Sequence, residues 1–517
     1  MGGVRPCGVC HALASQACGG CGVVHYCGKE HQRQHWPKHR AECRPWKLIS
    51  TPDAGRFAVA SRKLPAGLVF MEEAPLVVGP KASPVLVCLG CHAAITQDDF
   101  HPCPECWWPL CSSQCASSPL HLPECSILAQ DTTHTAQPKA QGDTSHYDII
   151  FLLRCLLLRS HNPSGWKTLL DMAHHSKQRE AEHMASVTYL TEVLHVDYDE
   201  EVVRQVKGAI ITNAIEISTN TKLEAMYPRV RLLNSSCRPN VELLCGSGAV
   251  MQVRTAMPIE VGEPLCFSYT GTMLPVWERQ ESLRSGYYFK CECVRCADPT
   301  ELETYFSSPK CPRCRGFYLQ PCMRPGDTLW TCPKCKIGRT DSKIQADVQD
   351  WLERIQMTDV LGKCSVKHLV TMLDQVKAEF HPQHYVWMRL AQVVLRHLYH
   401  NNTEEALQLR SRLWQRLMAL HNTFNPGLNR RRGMTLLETG RLMFEAAQKE
   451  FEEGDPFMPE FVTRLRSAVE YLEEAGKILR LEPPGTKLAA MAVRAREKKA
   501  EVEEFLEQFG CGELRAE

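Results

Sequence analysis

The stretch that decides the fold is YYFKCECVRC at residues 287–296, which contains the three cysteines Cys291, Cys293 and Cys296. A structural zinc ion takes four protein ligands, so this group needs one more from elsewhere in the chain. Cys237, in the sequence RLLNSSCRPN at residues 231–240, is the candidate. With Cys237 as the fourth ligand, the two stretches would meet around one ion.

Two longer sets of cysteines and histidines lie upstream, each made of four short pairs. A CxxC turn, or a spacing of x3 on a helix, aims two ligands at one ion, so each pair is half a site. The first set predicts two cross-braced sites, one with Cys7, Cys10, Cys27 and His31 and one with Cys18, Cys21, His39 and Cys43. The second set repeats this plan with Cys88, Cys91, Cys103, Cys106, Cys111, Cys115, His121 and Cys125.

A fourth group has the two CxxC knuckles of a zinc ribbon, Cys311, Cys314, Cys332 and Cys335. Together the four groups predict about six structural Zn²⁺ ions, at four ligands for each ion. The remaining cysteines of the 27 have no such spacing, and we expect inert thiols at Cys155, Cys245, Cys266, Cys322, Cys364 and Cys511. Paired cysteines in this number indicate metal binding under reducing conditions rather than disulfides.

The composition is that of an ordinary soluble protein of three or four units. Sixty Lys+Arg against 59 Asp+Glu give a net charge of +1, so a global attraction to nucleic acid is not expected. No apolar run is long enough to span a membrane, and the first residues have no apolar signal core. We therefore expect no membrane association and a cytoplasmic and/or nuclear location.

Hydrophobic periodicity predicts a β-domain that is interrupted by the second cysteine set. Strands are expected at 55–60, 67–71, 241–245, 249–254 and 264–269. Helices are expected at 147–160, 176–194 and 200–215, after a polar linker at 131–145. From residue 341 the pattern predicts six or seven helices, either antiparallel pairs similar to tetratricopeptide repeats or a generic bundle. The arginine tract 430–432 is predicted to be a solvated loop rather than a nuclear import signal.

Several motifs resemble those of one enzyme family. Each finger-like set is similar to a MYND zinc finger, and RLLNSSCRPN is similar to the pseudoknot motif of SET domains. The other matching stretches are Gly55-Arg56-Phe57, TNAIEI at 212–217, GEPLCFSY at 262–269, WERQESLR at 277–284 and YYFKCECVRC. Their order, over about residues 5 to 300, resembles that of the SET-and-MYND (Smyd) protein-lysine methyltransferases.

The resemblance implies S-adenosylmethionine as cofactor and roles for individual residues. Tyr269 would orient the lysine amine and the methyl group, and Tyr287 would line the lysine channel. The implied cofactor-binding residues are Gly55, Arg56, Phe57, Asn213, Asn234, Ser235 and Phe289. The resemblance also makes Cys237 the fourth ligand of the post-SET zinc ion. Ser235 stands where the family has histidine, and Phe57 stands where it commonly has glycine.

The expected fold is α+β and multidomain. Its expected segments are a MYND finger at 1–46, SET parts at 47–87 and 209–290, an inserted MYND finger at 88–125, a linker and helical insertion at 126–208, a post-SET site with ribbon at 291–340, and a TPR-like helical domain at 341–517. Expected partners are proteins with substrate lysines, proline-rich peptides at the fingers, and a chaperone at the C-terminal helices.

Two other classes of function compete with the methyltransferase. One is a SET-MYND adaptor of weak or no activity that binds proline-rich partners through its fingers. Calorimetry with S-adenosylmethionine separates it from the enzyme. The other is a DNA-binding zinc regulator, which the charge of +1 disfavours and which a salt-sensitive gel shift would reveal.

Overall fold

The computed structural model describes residues 5–14, 16–52, 55–82, 85–96, 100–131, 147–179, 186–218, 221–315, 318–324, 327–362, 364–454 and 458–508. No helix in these ranges combines the length and the apolar character that crossing a bilayer requires.

The strands are short and fall mainly in the first two thirds of the chain. They are β1 (Arg5–Pro6), β2 (Leu13–Ala14), β3 (Gln16–Ala17), β4 (His25–Tyr26), β5 (Trp46–Thr51), β6 (Gly55–Ala60), β7 (Val69–Glu73), β8 (Val77–Pro80), β9 (Leu86–Val87), β10 (Ala94–Ile95), β11 (His101–Pro102), β12 (Pro109–Leu110), β13 (Ile215–Ser218), β14 (Leu223–Met226), β15 (Asn234–Ser235), β16 (Val241–Cys245), β17 (Met251–Thr255), β18 (Cys266–Phe267), β19 (Gln320–Arg324), β20 (Asp327–Thr331) and β21 (Gly338–Thr340).

The helices dominate the C-terminal third. They are α1 (Lys29–Cys43), α2 (Leu122–Leu128), α3 (Tyr147–His161), α4 (Pro163–Leu170), α5 (Glu200–Asn213), α6 (Val276–Tyr287), α7 (Val294–Ala297), α8 (Asp341–Leu361), α9 (Val366–Glu379), α10 (Tyr385–His397), α11 (Glu404–Phe424), α12 (Arg430–Glu453), α13 (Met458–Leu479) and α14 (Lys487–Glu507).

The central β-domain consists of small sheets that share one core. Strands β16, β17 and β7 form an antiparallel sheet, in which Val241 lies opposite Thr255 and Met251 lies opposite Glu73. Strands β13, β14 and β8 form a second sheet, and β5 pairs with β6. Alternate apolar side chains of these strands, such as Val253, are buried in the common core, as their period of two requires.

A crossing of two chain segments lies beside this core. Strands β15 and β18 pair in parallel, and Ser236 N–H donates to Phe267 O (3.0 Å). The Asn240 side chain closes the crossing, because its Oδ1 accepts from Cys266 N–H (2.8 Å) and its Nδ2 donates to Pro264 O (2.8 Å). The segment 231–240 is thereby threaded against β18.

The second cysteine set packs into the helical insertion. Tyr147, at the start of α3, binds Val87 through its hydroxyl, which accepts from Val87 N–H and donates to Val87 O, both at 2.8 Å. Trp108 is fully buried in the same hydrophobic core as α3 and α5. This set and the insertion therefore form one packed unit.

The C-terminal helices are joined to the β-domain by a buried ionic cluster. Arg254 of β17 is 1% exposed and lies 3.2 Å from Glu242 and 3.5 Å from Glu482. Asn429, before α12, donates to Glu242 Oε1 (2.7 Å). Buried charges of both signs thus fix the position of the helices on the β-domain.

Three predicted elements differ from the structure. The predicted helix 176–194 is a 3₁₀ turn at Ser176–Arg179 and a short helix at 186–193, which is α-helical at 186–188 and π-helical at Tyr189–Val193, with 180–185 outside the described residues. The helix predicted to residue 215 ends at Asn213, because Ile215 pairs with Ala225 in a sheet. The tract 430–432 is the first turn of α12 rather than a loop.

Three strand boundaries also differ from the prediction. The strand predicted at 249–254 is β17, which begins two residues later at Met251, because Ser247–Ala249 form a 3₁₀ turn. The strand predicted at 67–71 is β7, two residues later, because Gly67 forms a turn with a positive φ of 83°. The strand predicted at 264–269 is only β18, because just two of its residues pair with β15.

Candidate zinc centres and candidate active site

The structure brings together every four-ligand set of the two finger regions. One group contains Cys7, Cys10, Cys27 and His31, the next Cys18, Cys21, His39 and Cys43, and two more contain Cys88, Cys91, Cys111, Cys115 and Cys103, Cys106, His121, Cys125. Two thiolates at about 2.3 Å from one tetrahedral zinc ion are about 3.8 Å apart. The Sγ atoms of Cys10 and Cys27 are 3.7 Å apart, and those of Cys18 and Cys43 are 3.5 Å apart, so the donors fit zinc.

The second finger has a carboxylate behind one of its histidines. His121 Nε2 lies 3.5 Å from Cys106 Sγ, and its Nδ1 lies 3.4 Å from Glu124 Oε1. Arg154 of α3 donates to both oxygens of Glu124, at 2.6 and 2.7 Å. Such a carboxylate fixes the tautomer and the orientation of a zinc-bound imidazole. The sequence contained no spacing signal for this contribution of Arg154.

The ribbon knuckles also come together. Cys311 Sγ and Cys335 Sγ are 3.6 Å apart, and the backbone N–H groups of Cys314 and Cys335 donate to the first thiol of their own knuckle. Cys332 is buried. The four side chains therefore have the donor types and the spacing of a zinc ribbon.

The post-SET group contains the four predicted cysteines, Cys237, Cys291, Cys293 and Cys296. Cys237 Sγ and Cys296 Sγ are 3.5 Å apart. Arg279 of α6 is fully buried, and its guanidinium lies 3.6 Å from Cys296 Sγ.

The buried charges around the post-SET group support a metal-thiolate centre. Arg279 and Arg295 are both 0% exposed and share the carboxylate of Glu301 at 2.9 Å. Two cations against one anion would leave a buried positive charge, which is unfavourable. Zn²⁺ with four thiolates has a net charge of −2 and compensates that excess. The donor set and its surroundings thus fit zinc.

An aromatic cluster adjoins the post-SET group. Tyr269 and Tyr287 have ring centroids 4.9 Å apart, Phe289 meets Tyr269 edge to face at 6.5 Å, and both tyrosines pack against the buried cysteines. The Tyr269 hydroxyl donates to Leu233 O (2.7 Å). Burial raises the pKa of Tyr269, while the neighbouring Arg231 guanidinium acts in the opposite direction. The phenol is therefore protonated at neutral pH and retains free lone pairs as acceptors.

The predicted cofactor residues lie along three adjacent segments. Leu265 N–H donates to Ala58 O of β6, and Leu265 O accepts from Asn234 N–H, both at 3.0 Å. Gly55 begins β6 with a φ of 63°, and a Cβ there would meet no atom within 4 Å. This open edge lets a ligand approach the backbone.

The remaining predicted cofactor residues have different surroundings. Arg56 pairs with Asp171 of the helical insertion at 2.8 Å, whereas Phe57 is buried in the core. Ser235 Oγ accepts from Tyr269 N–H (3.4 Å). Asn213 is buried, and its Nδ2 donates to Ala173 O and Ala209 O, so both of its donors are already used within the protein.

Comparison with known proteins agrees with this architecture. Residues 55–270 match the family model described as SET domain, and residues 7–43 match the one described as MYND finger. The fold and the site are those of a zinc-containing SET-domain protein. The chain therefore contains both a SET domain and a MYND finger, and in this combination it is similar to the SET-and-MYND proteins whose motifs its sequence resembles.

The chain is also similar to curated proteins with SET or Smyd in their names. The chain is 26% identical over 353 residues to SET domain-containing protein SmydA-8, isoform A, of Drosophila melanogaster, which covers 66% of this chain and 76% of that protein. It is 30% identical over 159 residues to protein-lysine N-methyltransferase SMYD4 of Mus musculus, covering 30% and 19% of the two chains. The solved SET domain of LSMT bound to lysine and AdoHcy aligns over 93% of this chain and 96% of that chain, with 11% identity and a TM-score of 0.31, too distant to inform the site.

Proposed function

We propose that this protein transfers methyl groups from S-adenosylmethionine to lysine side chains of histone and/or non-histone proteins. The observation that carries the proposal is the cluster of Tyr269, Tyr287 and Phe289 against the post-SET cysteines, inside a SET domain. Relatives named as lysine methyltransferases support it. One is histone-lysine N-methyltransferase ASHR1 of Arabidopsis thaliana, 22% identical over 328 residues, which covers 59% of this chain and 66% of that protein.

The role of the aromatic residues follows from their chemistry. A lysine amine has a pKa near 10.4 in water, and it attacks a methyl group only in the neutral form. An aromatic channel removes water and so favours the neutral amine. The Tyr269 hydroxyl donates to Leu233 O, so its lone pairs are left to accept from the amine and orient it. When bound, S-adenosylmethionine supplies the activated methyl group.

The zinc-binding groups hold this channel in place. Cys237 belongs to the crossing segment, whereas the other three cysteines of the group follow Tyr287 in the chain. One ion on all four would tie the two sides of the channel together. The reacting atoms must be held within a near-attack geometry, and loss of that order costs rate steeply.

The test compares Tyr269→Phe with a matched control. Metal-replete protein is first titrated with S-adenosylmethionine in a calorimeter, and label transfer to a lysine-peptide array is then measured. We expect Tyr269→Phe to transfer about 10²-fold more slowly, because the amine is no longer oriented. Tyr227→Phe removes a similar hydroxyl, which donates to Ala249 O in the SET core, and should leave the rate unchanged. If the wild type does not bind S-adenosylmethionine, the proposed methyltransferase activity is refuted.

A second proposed activity is the docking of proline-rich peptides at the fingers. The indoles of Trp36 and Trp107 are 43% and 51% exposed, and Leu122 beside the second finger is 54% exposed. Proline-rich segments bind to exposed aromatic surfaces. If Trp36→Ala loses binding of a proline-rich peptide, the first finger is the docking site, and if Trp107→Ala loses it, the second finger is. Unchanged binding by both variants would refute this docking.

The finer assignments of segment, partner and compartment are proposals as well. We retain the seven segments given above as functional units, a cytoplasmic and/or nuclear location, and a chaperone contact at the C-terminal helices. Co-purification of a chaperone with the full chain, but not with a chain that ends before residue 341, would support that contact.

A further inference from the structure

Arg231 lies between the predicted cofactor segment and the aromatic cluster. Its Nε donates to Asn213 O (2.5 Å) and its Nη2 donates to Ala214 O (2.8 Å). Both acceptors are backbone carbonyls at the end of α5. The guanidinium is therefore fixed by neutral groups, and its position is set by the same segment that contains Asn213.

The guanidinium also lies against the rings of the proposed lysine channel. Its Cζ is 5.1 Å from the ring centroid of Tyr269 and 5.7 Å from that of Phe267, within the range of a cation–π contact. The two rings are themselves 4.8 Å apart. The aromatic faces that would attract a lysine ammonium thus already have a cation beside them.

The charge of Arg231 is not neutralised nearby. Among the residues the structure describes, no carboxylate forms an ion pair with it, and Glu216 on the adjacent β13 pairs instead with Lys222 at 3.1 Å. Besides Arg231, the Tyr287 phenol and the Cys266 thiol act on the Tyr269 phenol, and the post-SET cysteines pack against both tyrosines. Arg231 therefore adds to the channel a positive charge that no ion pair among the described residues neutralises.

We propose that Arg231 is a resident cation of the lysine channel, which makes the channel accept the substrate amine in its neutral form and repel the ammonium ion. This inference rests on the proposed function and assigns a specificity-determining residue to it. The methyl transfer itself is unchanged: the N–C bond forms as the C–S bond breaks, and the new ammonium then loses a proton to water.

The expected effect concerns the enzyme–substrate complex. A unit charge about 6 Å away, at an effective dielectric constant near 20, shifts the pKa of an amine by about two units. The pH profile of kcat reports ionisation in that complex, and the profile of kcat/KM reports the free reactants. Replacing Arg231 by an uncharged side chain should therefore raise the apparent pKa in kcat and leave that in kcat/KM unchanged.

The experiment uses the metal-replete full chain and an acceptor peptide found on the array. Arg231→Met retains much of the volume without the charge, Arg231→Lys retains the charge, and Arg284→Met removes an exposed arginine of α6. We expect the kcat profile of Arg231→Met to move up by about two units, and those of Arg231→Lys and Arg284→Met to match the wild type. The proposal would be overturned if the kcat profile of Arg231→Met had the same apparent pKa as that of the wild type, or if this variant only lost rate by the same factor at every pH.

A binding measurement separates this inference from the proposed function. The peptide is titrated at pH 8 into protein with S-adenosylhomocysteine, in two buffers of different ionisation enthalpy. The wild type should release more protons for each peptide bound than Arg231→Met does. If the wild type releases more protons than Arg231→Met but no methyl transfer is found, the methyltransferase activity is refuted and the role of Arg231 stands. If the two proteins release equal numbers of protons, only the role of Arg231 is refuted. If the peptide does not bind, both are refuted.

Discussion

The substitution Cys237→Ser tests the post-SET zinc site most directly. Cys237 is 1% exposed, belongs to the crossing segment, and is the only ligand of its group that does not come from residues 291–296. A serine hydroxyl is a poor zinc ligand, so the variant should lose this ion and retain the others. Metal analysis should find about one zinc fewer for each chain.

The magnitude follows from the buried charges behind the site. Once the ion is lost and the three remaining thiols are protonated, Arg279 and Arg295 share only Glu301, at 2.9 Å each, and one buried positive charge is uncompensated. An uncompensated buried charge costs about 3 to 5 kcal/mol. For a unit of 150–250 residues each kcal/mol lowers Tm by about 2 to 4 °C. The first thermal transition should therefore fall by about 6 to 20 °C.

The assay combines metal analysis, calorimetry and thermal unfolding. Binding of S-adenosylmethionine should be lost, because the segment after Tyr287 is no longer tied to the crossing. Cys266→Ser is the matched control, since Cys266 is on β18 next to the site but belongs to none of the ligand groups. Unchanged zinc content and cofactor affinity in Cys237→Ser would refute the assignment of this zinc site.

Three further predictions follow from other buried contacts. Glu124→Gln should weaken the zinc affinity of the second finger about 10- to 100-fold in a chelator competition, because it loosens the orientation of His121; exposed Glu105→Gln is its control. Burial lowers the pKa of His421 to about 4 in the folded protein. The free energy of unfolding is therefore unaffected by this residue above pH 6.5, its pKa in the unfolded chain, and falls by about 1.4 kcal/mol for each pH unit between 6.5 and 4. The urea midpoint of His421→Gln should fall less over this pH range than that of the wild type. Arg254→Met should cost about 3 to 5 kcal/mol in urea unfolding, because the buried carboxylates of Glu242 and Glu482 then keep only their ion pairs with Arg430, at 3.9 and 3.5 Å. A loss below about 1 kcal/mol would contradict this.

The zinc ligands were predictable because their signal is local. Two ligands three or four residues apart point at one ion whatever the rest of the chain does, and the structure brings together the finger sets that the spacing predicted. Cys237 has no such local signal, and it was predicted as the fourth post-SET ligand from the family resemblance. Strand and helix boundaries were less predictable. The end of α5 at Asn213 depends on the pairing of Ile215 with Ala225, which is a contact between segments and not a property of either.

The functional arginines could not be predicted from residue type. The chain has 60 lysines and arginines. No motif surrounds Arg154, and the motifs that contain Arg231 and Arg279 assigned no role to either arginine. Their roles depend on what folding places around them: a carboxylate behind a zinc ligand, two carbonyls beside an aromatic ring, or a group of thiolates. Such surroundings come from segments far apart in the chain.

The contacts of the first finger predict that its zinc ions affect methyl transfer, although they are remote from the proposed channel. Glu72 N–H of β7 donates to Cys21 O (3.0 Å), and Arg229 donates to Gly20 O (3.1 Å) at the second zinc group of that finger. Arg229 N–H also donates to Glu73 Oε1 (3.0 Å), two residues before Arg231. The finger thus contacts the segment that contains the proposed channel cation. Removal of zinc from the first finger by stepwise chelation should therefore change the pH profile of kcat and also weaken peptide docking. A finger on a free linker would affect docking alone.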